Sequence, residues 1–190
     1  LNASKKNKAI GMKKLVMEEL NRLTVEDYKA AEKNDFCLIL DDIRSMANVG
    51  SIFRTADCFR ASTIYLCGIT ARPPHREIEK TALGATESVD WVYQEDVLEL
   101  ISDLKSKDWQ IVSLEQVENS ICLDDYLPQK GKKYAFVLGN EVFGVKQEII
   151  EQSSLVVEIP QFGTKHSFNV SVSTGILLWD FYSKTKLLLK

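Results

Sequence analysis

The sequence has no apolar run approaching the roughly eighteen residues that a membrane span requires, and no secretion-signal pattern at its start. These absences predict a cytoplasmic protein with no membrane partner. Cysteine is sparse: Cys37, Cys58, Cys67 and Cys122 form no Cys-x-x-Cys pair and sit mostly among apolar residues. That argues against a disulfide framework or a zinc site and predicts buried free thiols. The only histidines, His75 and His166, both fall in loop-like sequence, so no metal is expected. Positive charge is not in excess either, with 24 Lys and Arg against 27 Asp and Glu. A net charge of −3 counts against gripping nucleic acid by bulk electrostatics. The dinucleotide fingerprint G-x-G-x-x-G is missing as well.

What is present is a 190-residue chain with 45% apolar content, enough for one compact domain with a sizeable core. Its basic residues are unevenly placed: Lys5, Lys6, Lys8, Lys13 and Lys14 precede the first helical pattern, and Arg44, Arg54, Arg60, Arg72 and Arg76 gather further on. The polar leader before Met12 reads as upstream sequence, which makes Met12 the expected natural start. Leu15, Val16, Leu20, Leu23 and Tyr28 recur at helical spacing over 14–32, with Thr24 and Glu26 hinting at a cap and restart. Residues 1–35 are therefore expected to be an N-terminal helical extension to a domain spanning 36–190.

From Phe36 onward, short apolar runs alternate with helical patterns. Strands are expected at 36–40, 63–67, 89–93, 110–114, 134–138 and 155–159, and helices at 49–59, 78–83, 96–105, 146–152 and 170–188. Residues 115–133 read as irregular. Such alternation predicts an α/β fold with a parallel sheet flanked by helices.

Three stretches place polar residues just past an apolar run, where open α/β sheets bind ligands: Asn48–Arg54, Leu138–Gly144, and Ile159–Pro160 with Ser167–Val172. Gly139–Lys146 approaches P-loop spacing, but the lysine is one residue late, Gln147 stands where a hydroxyl is needed, and Glu141 would oppose phosphate. Ser167 next to His166 is a poor nucleophile and base pair, because adjacent side chains rarely face each other. What remains is a polar set: Asn48, Arg54, Asn140, Glu141, Ser167 and Asn169. Each has an ordinary structural explanation: Asn48 capping the helix that follows it, Asn169 or Ser167 capping the last helix, Arg54 pairing with Asp57 or Asp41. Together with Gly50, Gly139 and Gly144, which allow close backbone approach, the set suits a polar ligand and an oriented hydroxyl.

LDDIRSMANVGSIFRTAD (40–57), FVLGNEVFGV (136–145) and EIPQFGTKHSFNVSVSTGI (158–176) resemble the three ordered motifs of the TrmH/SpoU branch of the SPOUT RNA methyltransferases, and KTALGATESVDW (80–91) is similar to the family between them. The resemblance covers most of the chain. It implies methyl transfer from S-adenosylmethionine, with S-adenosylhomocysteine as product, to a ribose 2′-hydroxyl of tRNA or rRNA. A homodimer and a C-terminal trefoil knot that holds the cofactor are also implied. Catalytic roles fall on Arg54, Asn48, Glu141, Ser167 and Asn169. Cofactor contacts fall on Leu138, Gly139, Asn140, Gly144, Ile159, Pro160 and Phe168, the last replacing the family's usual leucine. The alternatives are an inactive RNA-binding adaptor of the same fold, or a SPOUT enzyme that methylates a base nitrogen. The short span before the first strand inclines the substrate towards tRNA or a compact rRNA reader. The early lysines, Arg72 to Arg76, Lys184, Lys186 and Lys190 are candidates for the RNA surface.

Overall fold

The apolar run Phe36–Asp41 forms β1, buried at all six positions. In the computed structural model, which describes residues 12–188, it lies inside a seven-stranded sheet. The other strands are β2 (Ile64–Cys67), β3 (Trp91–Gln94), β4 (Trp109–Leu114), β5 (Ile121–Cys122), β6 (Lys133–Leu138) and β7 (Leu155–Glu158), in the order β3-β2-β1-β6-β4-β7-β5. Every pairing is parallel, with Leu38 opposite Ile64 on one side and Phe136 on the other. Parallel strands need crossovers, and the crossovers supply helices to both faces.

Alternation along β1 divides the core in two. Phe36, Leu38 and Leu40 join Ile52 and Phe53 of α2 (Met46–Cys58), Ile78 of α3 (Arg76–Ala82), and Leu177, Leu178 and Phe181 of α7 (Val170–Leu188). Cys37 and Ile39 face the opposite way, against Ile101 and Leu104 of α5 (Val97–Ser106) and Ile149 of α6 (Gln147–Gln152). No helix among the described residues is long and apolar enough to cross a membrane.

Three local expectations fail. Over 14–32 the cap and restart hinted at by Thr24 are present, Thr24 capping a short α1 (Val25–Ala30) by accepting the Asp27 N–H, but the helical spacing before it yields only a 3₁₀ turn, Met17–Leu20, ended by a left-handed Asn21. Leu15, Val16, Leu20 and Leu23 are exposed and only Tyr28 is buried, so that spacing has no facing surface to hold a longer helix. The segment read as irregular contains β5, which extends the sheet through β7. One further turn of helix, α4 (Ala85–Ser88), has too few residues to register as a period. All four cysteines are unpaired, but only Cys37 and Cys67 are buried; Cys58 is exposed in the last turn of α2. The expected start at Met12 concerns residues 1–11 and lies outside the described residues.

Candidate functional site

β6 hands over to a tight loop at Gly139. A Cβ there would collide with the backbone of Gly144 and Val145. Asn140 and Gly144 exchange backbone hydrogen bonds of 3.0 and 2.9 Å, and the Asn140 Oδ1 accepts the Val142 and Phe143 N–H groups at 2.9 and 3.1 Å. The loop thereby turns Glu141 back towards the segment after β1. Its Oε2 accepts the Arg44 N–H at 2.9 Å, and its Oε1 accepts the Ser45 N–H at 2.9 Å and the Asn48 Nδ2 at 3.0 Å.

These backbone donors open α2, where the helix dipole favours a negative charge. The amides of the near P-loop stretch are themselves taken within the protein, those of Val142 and Phe143 by Asn140 Oδ1, that of Gly144 by the Asn140 carbonyl and that of Val145 by Glu115. Partial burial of Glu141 opposes its charge, but the bonds from Arg44, Asn48 and Ser45 outweigh that cost and hold the carboxyl below its ordinary pKa.

Ser45 caps α2, its Oγ accepting the Asn48 N–H at 3.3 Å, so the Asn48 side chain is not used as a cap. Its Oδ1 instead accepts the Asn169 Nδ2 at 3.0 Å. Asn169 does behave as a cap at the start of α7, where its Oδ1 accepts the Ser171 N–H at 2.9 Å. One hydrogen-bonded row, Glu141 to Asn48 to Asn169, thus joins all three motifs.

The row borders a cavity of about 740 Å³ at the carboxyl ends of β4, β6 and β7. Leu138, Gly139, Asn140, Gly144, Ile159, Phe168 and Ser167 line it, together with Glu141 and Asn169. Pro160, next to Ile159, is not on the wall. Neither is Arg54, six residues beyond Asn48 on α2. It is exposed and makes no ion pair or side-chain hydrogen bond among the described residues, which removes the expected pairing with Asp57 or Asp41.

Glu115, just past β4, was not singled out from sequence, yet it lines the cavity and its Oε2 accepts the Val145 N–H at 2.9 Å. Gly144, at φ 68°, has that carboxylate where a side chain would begin. The available signal was the one that marked the motifs, an acid directly after a buried strand.

Several expected RNA-facing cations are committed elsewhere: Lys13 pairs with Glu19 at 2.9 Å, and Lys186 lies 5.9 Å over the Tyr182 ring. Lys184 pairs with Asp180 at 2.7 Å and donates to the Leu123 carbonyl, and Arg72 lies 4.3 Å over the Tyr93 ring. Lys190 lies outside the described residues. Among the described residues, one group with metal-donor spacing exists, Cys122, Asp124 and Asp125, beside β5 and away from the cavity wall.

A family model described as the SpoU rRNA Methylase family matches residues 35–179. An uncharacterized tRNA/rRNA methyltransferase of Borreliella burgdorferi is 33% identical over 167 residues, 86% of this chain and 70% of that protein. The 23S rRNA (guanosine-2′-O-)-methyltransferase of Neisseria meningitidis is 31% identical over 74% of this chain and 55% of its own, so the chain spans little more than half of that relative's length. In structure, the Aquifex aeolicus TrmH/SpoU tRNA modifying enzyme superposes with a TM-score of 0.75 at 24% identity, over 86% of this chain and 81% of that one. An AdoMet-bound rRNA methyltransferase from Sinorhizobium meliloti gives 0.72 at 26% identity, over 80% and 58%. With residues 35–179 matched by the family model and most of its length covered by these relatives and structures, the chain belongs to the SpoU rRNA methylase family, in the TrmH/SpoU branch of the SPOUT superfamily.

Proposed function

We propose that the protein is an S-adenosylmethionine-dependent RNA methyltransferase that modifies a ribose 2′-hydroxyl of tRNA or rRNA, working as a homodimer. The observation that carries this reading is the Glu141, Asn48, Asn169 row beside the cavity, a set of fixed amides and a carboxylate suited to orienting a hydroxyl. The residues present fit the cofactor. The cavity has the size of a small-molecule site, and Gly139 and Gly144 stand on its wall without side chains, each required by close contact within the protein, Gly139 with the Gly144 and Val145 backbone and Gly144 with Glu115.

When bound, S-adenosylmethionine supplies an electrophilic methyl group on a sulfonium. Leu138, Gly139, Asn140, Gly144, Ile159 and Phe168 form the cofactor side of the site, through backbone groups and apolar contact, and Pro160, off the wall, fixes the backbone next to Ile159. Ser167 and Asn169 orient the ribose, and Glu141 fixes Asn48. Holding the reactants in attack geometry contributes about 7–11 kcal/mol. Arg54 meets the substrate as a cation, its planar guanidinium presenting a delocalised charge and a fork of donors. Its charge holds the neighbouring phosphate and stabilises the negative charge that develops on the 2′-oxygen, whose proton passes to solvent as the C–S bond of the sulfonium breaks and the O–C bond forms. The reading assigns no metal. Residues 36–190 constitute the methyltransferase domain, residues 1–35 its extension, and the C-terminal knot belongs to the same reading. Trp179 and Val172 on α7, 63% and 51% exposed, offer apolar surface for the second copy to cover.

The test is to incubate the protein with methyl-labelled S-adenosylmethionine and total RNA from cells lacking its gene, beside Arg54→Ala, and to digest the RNA to nucleosides. A labelled 2′-O-methylnucleoside that disappears with the variant is expected. Label on a base would assign another SPOUT reaction, and donor binding without transfer would make the protein an adaptor. Sedimentation decides the dimer.

A further inference from the structure

The loop that carries Glu141 is fastened at its far end by a lysine outside the cavity. Lys146 follows Val145, and its Nζ lies 2.7 Å from Asp42 Oδ2 and 3.1 Å from Asp41 Oδ2. Asp41, the last residue of β1, is 1% exposed, and Lys146 is its only ion-pair partner among the described residues. Asp42 is in the left-handed region, at φ 54°. Its Oδ1 accepts the Ile69 N–H at 2.9 Å, and its carbonyl accepts the Asn140 Nδ2 at 2.7 Å. Asp42 therefore joins the loops that follow β1, β2 and β6, and Lys146 closes the link from the β6 side. Two and three residues further on are the Arg44 and Ser45 N–H groups that grip Glu141.

We propose that Lys146 is a positioning residue for Glu141: by bridging Asp41 and Asp42 it sets the register between the 139–146 loop and the turn that presents the Arg44 and Ser45 N–H groups. It lines no part of that cavity, and among the described residues no hydrogen bond or ion pair joins it to Glu141 or Asn48. Its action runs through the two backbone segments. The electrostatics agree. Burial pushes the Asp41 carboxyl up despite Lys146, whereas at Asp42 the modest burial is outweighed by the bonds from Lys146 and Ile69, which hold it down. The role of Glu141 in catalysis rests on the reading above; the clamp itself does not.

The experiment compares Lys146→Met, which keeps length and removes charge, with Lys146→Arg. Amide hydrogen exchange in the folded proteins is read at Arg44 and Ser45, with Leu38 and Ile39 of β1 as internal controls. Exchange at Arg44 and Ser45 should rise on the order of tenfold in Lys146→Met, stay near wild type in Lys146→Arg, and leave the β1 amides unchanged. Methyl transfer should fall about 10- to 100-fold in kcat with little change in KM for RNA, and adding Lys146→Met to Glu141→Gln should cost nothing further, because the two residues act as one unit.

Unchanged Arg44 and Ser45 exchange in Lys146→Met, or rate losses that multiply in the double variant, would overturn the proposal. If Lys146→Met does not fold, Asp42→Asn serves instead. Asparagine tolerates positive φ and keeps the acceptor for Ile69, so the loss is confined to the charge and acceptor facing Lys146, where the new amino group sets donor against donor, and the same selective exchange is expected. A wild-type protein that transfers no methyl group would defeat the functional reading, and the exchange data would still decide the clamp.

Discussion

Glu141→Gln isolates the charge at the centre of the site, because the side chain keeps its shape. One amide oxygen still accepts from Ser45 and Asn48, but the new amino group faces the Arg44 N–H, a donor against a donor. Loss of one hydrogen bond to a charged group costs about 1.5–3 kcal/mol. The two remaining bonds weaken when the charge goes, and about 0.3–1 kcal/mol of helix-dipole stabilisation goes with it. Glu141 is only part-buried, so water recovers some of this, and the expected net loss is about 2 kcal/mol at neutral pH. Urea unfolding of the two proteins measures it. The sign with pH follows from the depressed pKa of Glu141. Its contribution is complete above the unfolded carboxyl value, about 4.3, and is lost as the pH falls through the folded value. The gap between the two proteins should therefore hold from neutral pH down to mildly acidic conditions and close below them. Equal urea midpoints at neutral pH would refute the reasoning, as would a gap that does not shrink on acidification.

Arg54→Ala should abolish methyl transfer while shifting stability by no more than about 0.5 kcal/mol, since Arg54 holds no partner among the described residues; Arg54→Lys activity near wild type would speak against a need for the forked guanidinium. Gly144→Ala places a methyl group against the Glu115 carboxylate at positive φ, costing about 1–2 kcal/mol from conformation alone, and calorimetric titration should show S-adenosylmethionine binding lost before the fold is. Leu177→Ala, at a fully buried position of α7, should cost about 2–5 kcal/mol in urea unfolding, and a loss below about 1 kcal/mol would contradict the packing of α7 on the sheet.

Legibility varied with how local the cause was. β1 and β6 could be read because strands covered on both faces must be continuously apolar, as Phe36–Leu40 and Tyr134–Leu138 are. The helix expected over 96–105 was equally local, and α5 begins at Val97 behind Asp96, whose side chain accepts from the Leu98 and Glu99 N–H groups. The N-terminal apolar spacing misled because a period describes a face without supplying the surface to cover it. Asn48 was open to reading as a helix cap because capping chemistry suits several residue types, and only the fold reveals that Ser45 already fills the position. Glu115 and Lys146 escaped because their partners lie far away along the chain, at Val145 and at Asp41 and Asp42.

By itself the sequence determined the alternating α/β pattern, the three polar blocks at strand ends and the family they resemble, since buried strands, turns and close glycine contacts each constrain residues near them in the chain. Only the tertiary structure decided which donors hold Glu141, that Asn48 turns to Asn169, and that Asp42 gathers three loops. A hydrogen bond between residues 48 and 169 leaves no local trace: both partners are ordinary polar residues, and only a folded chain brings their 3 Å geometry into being.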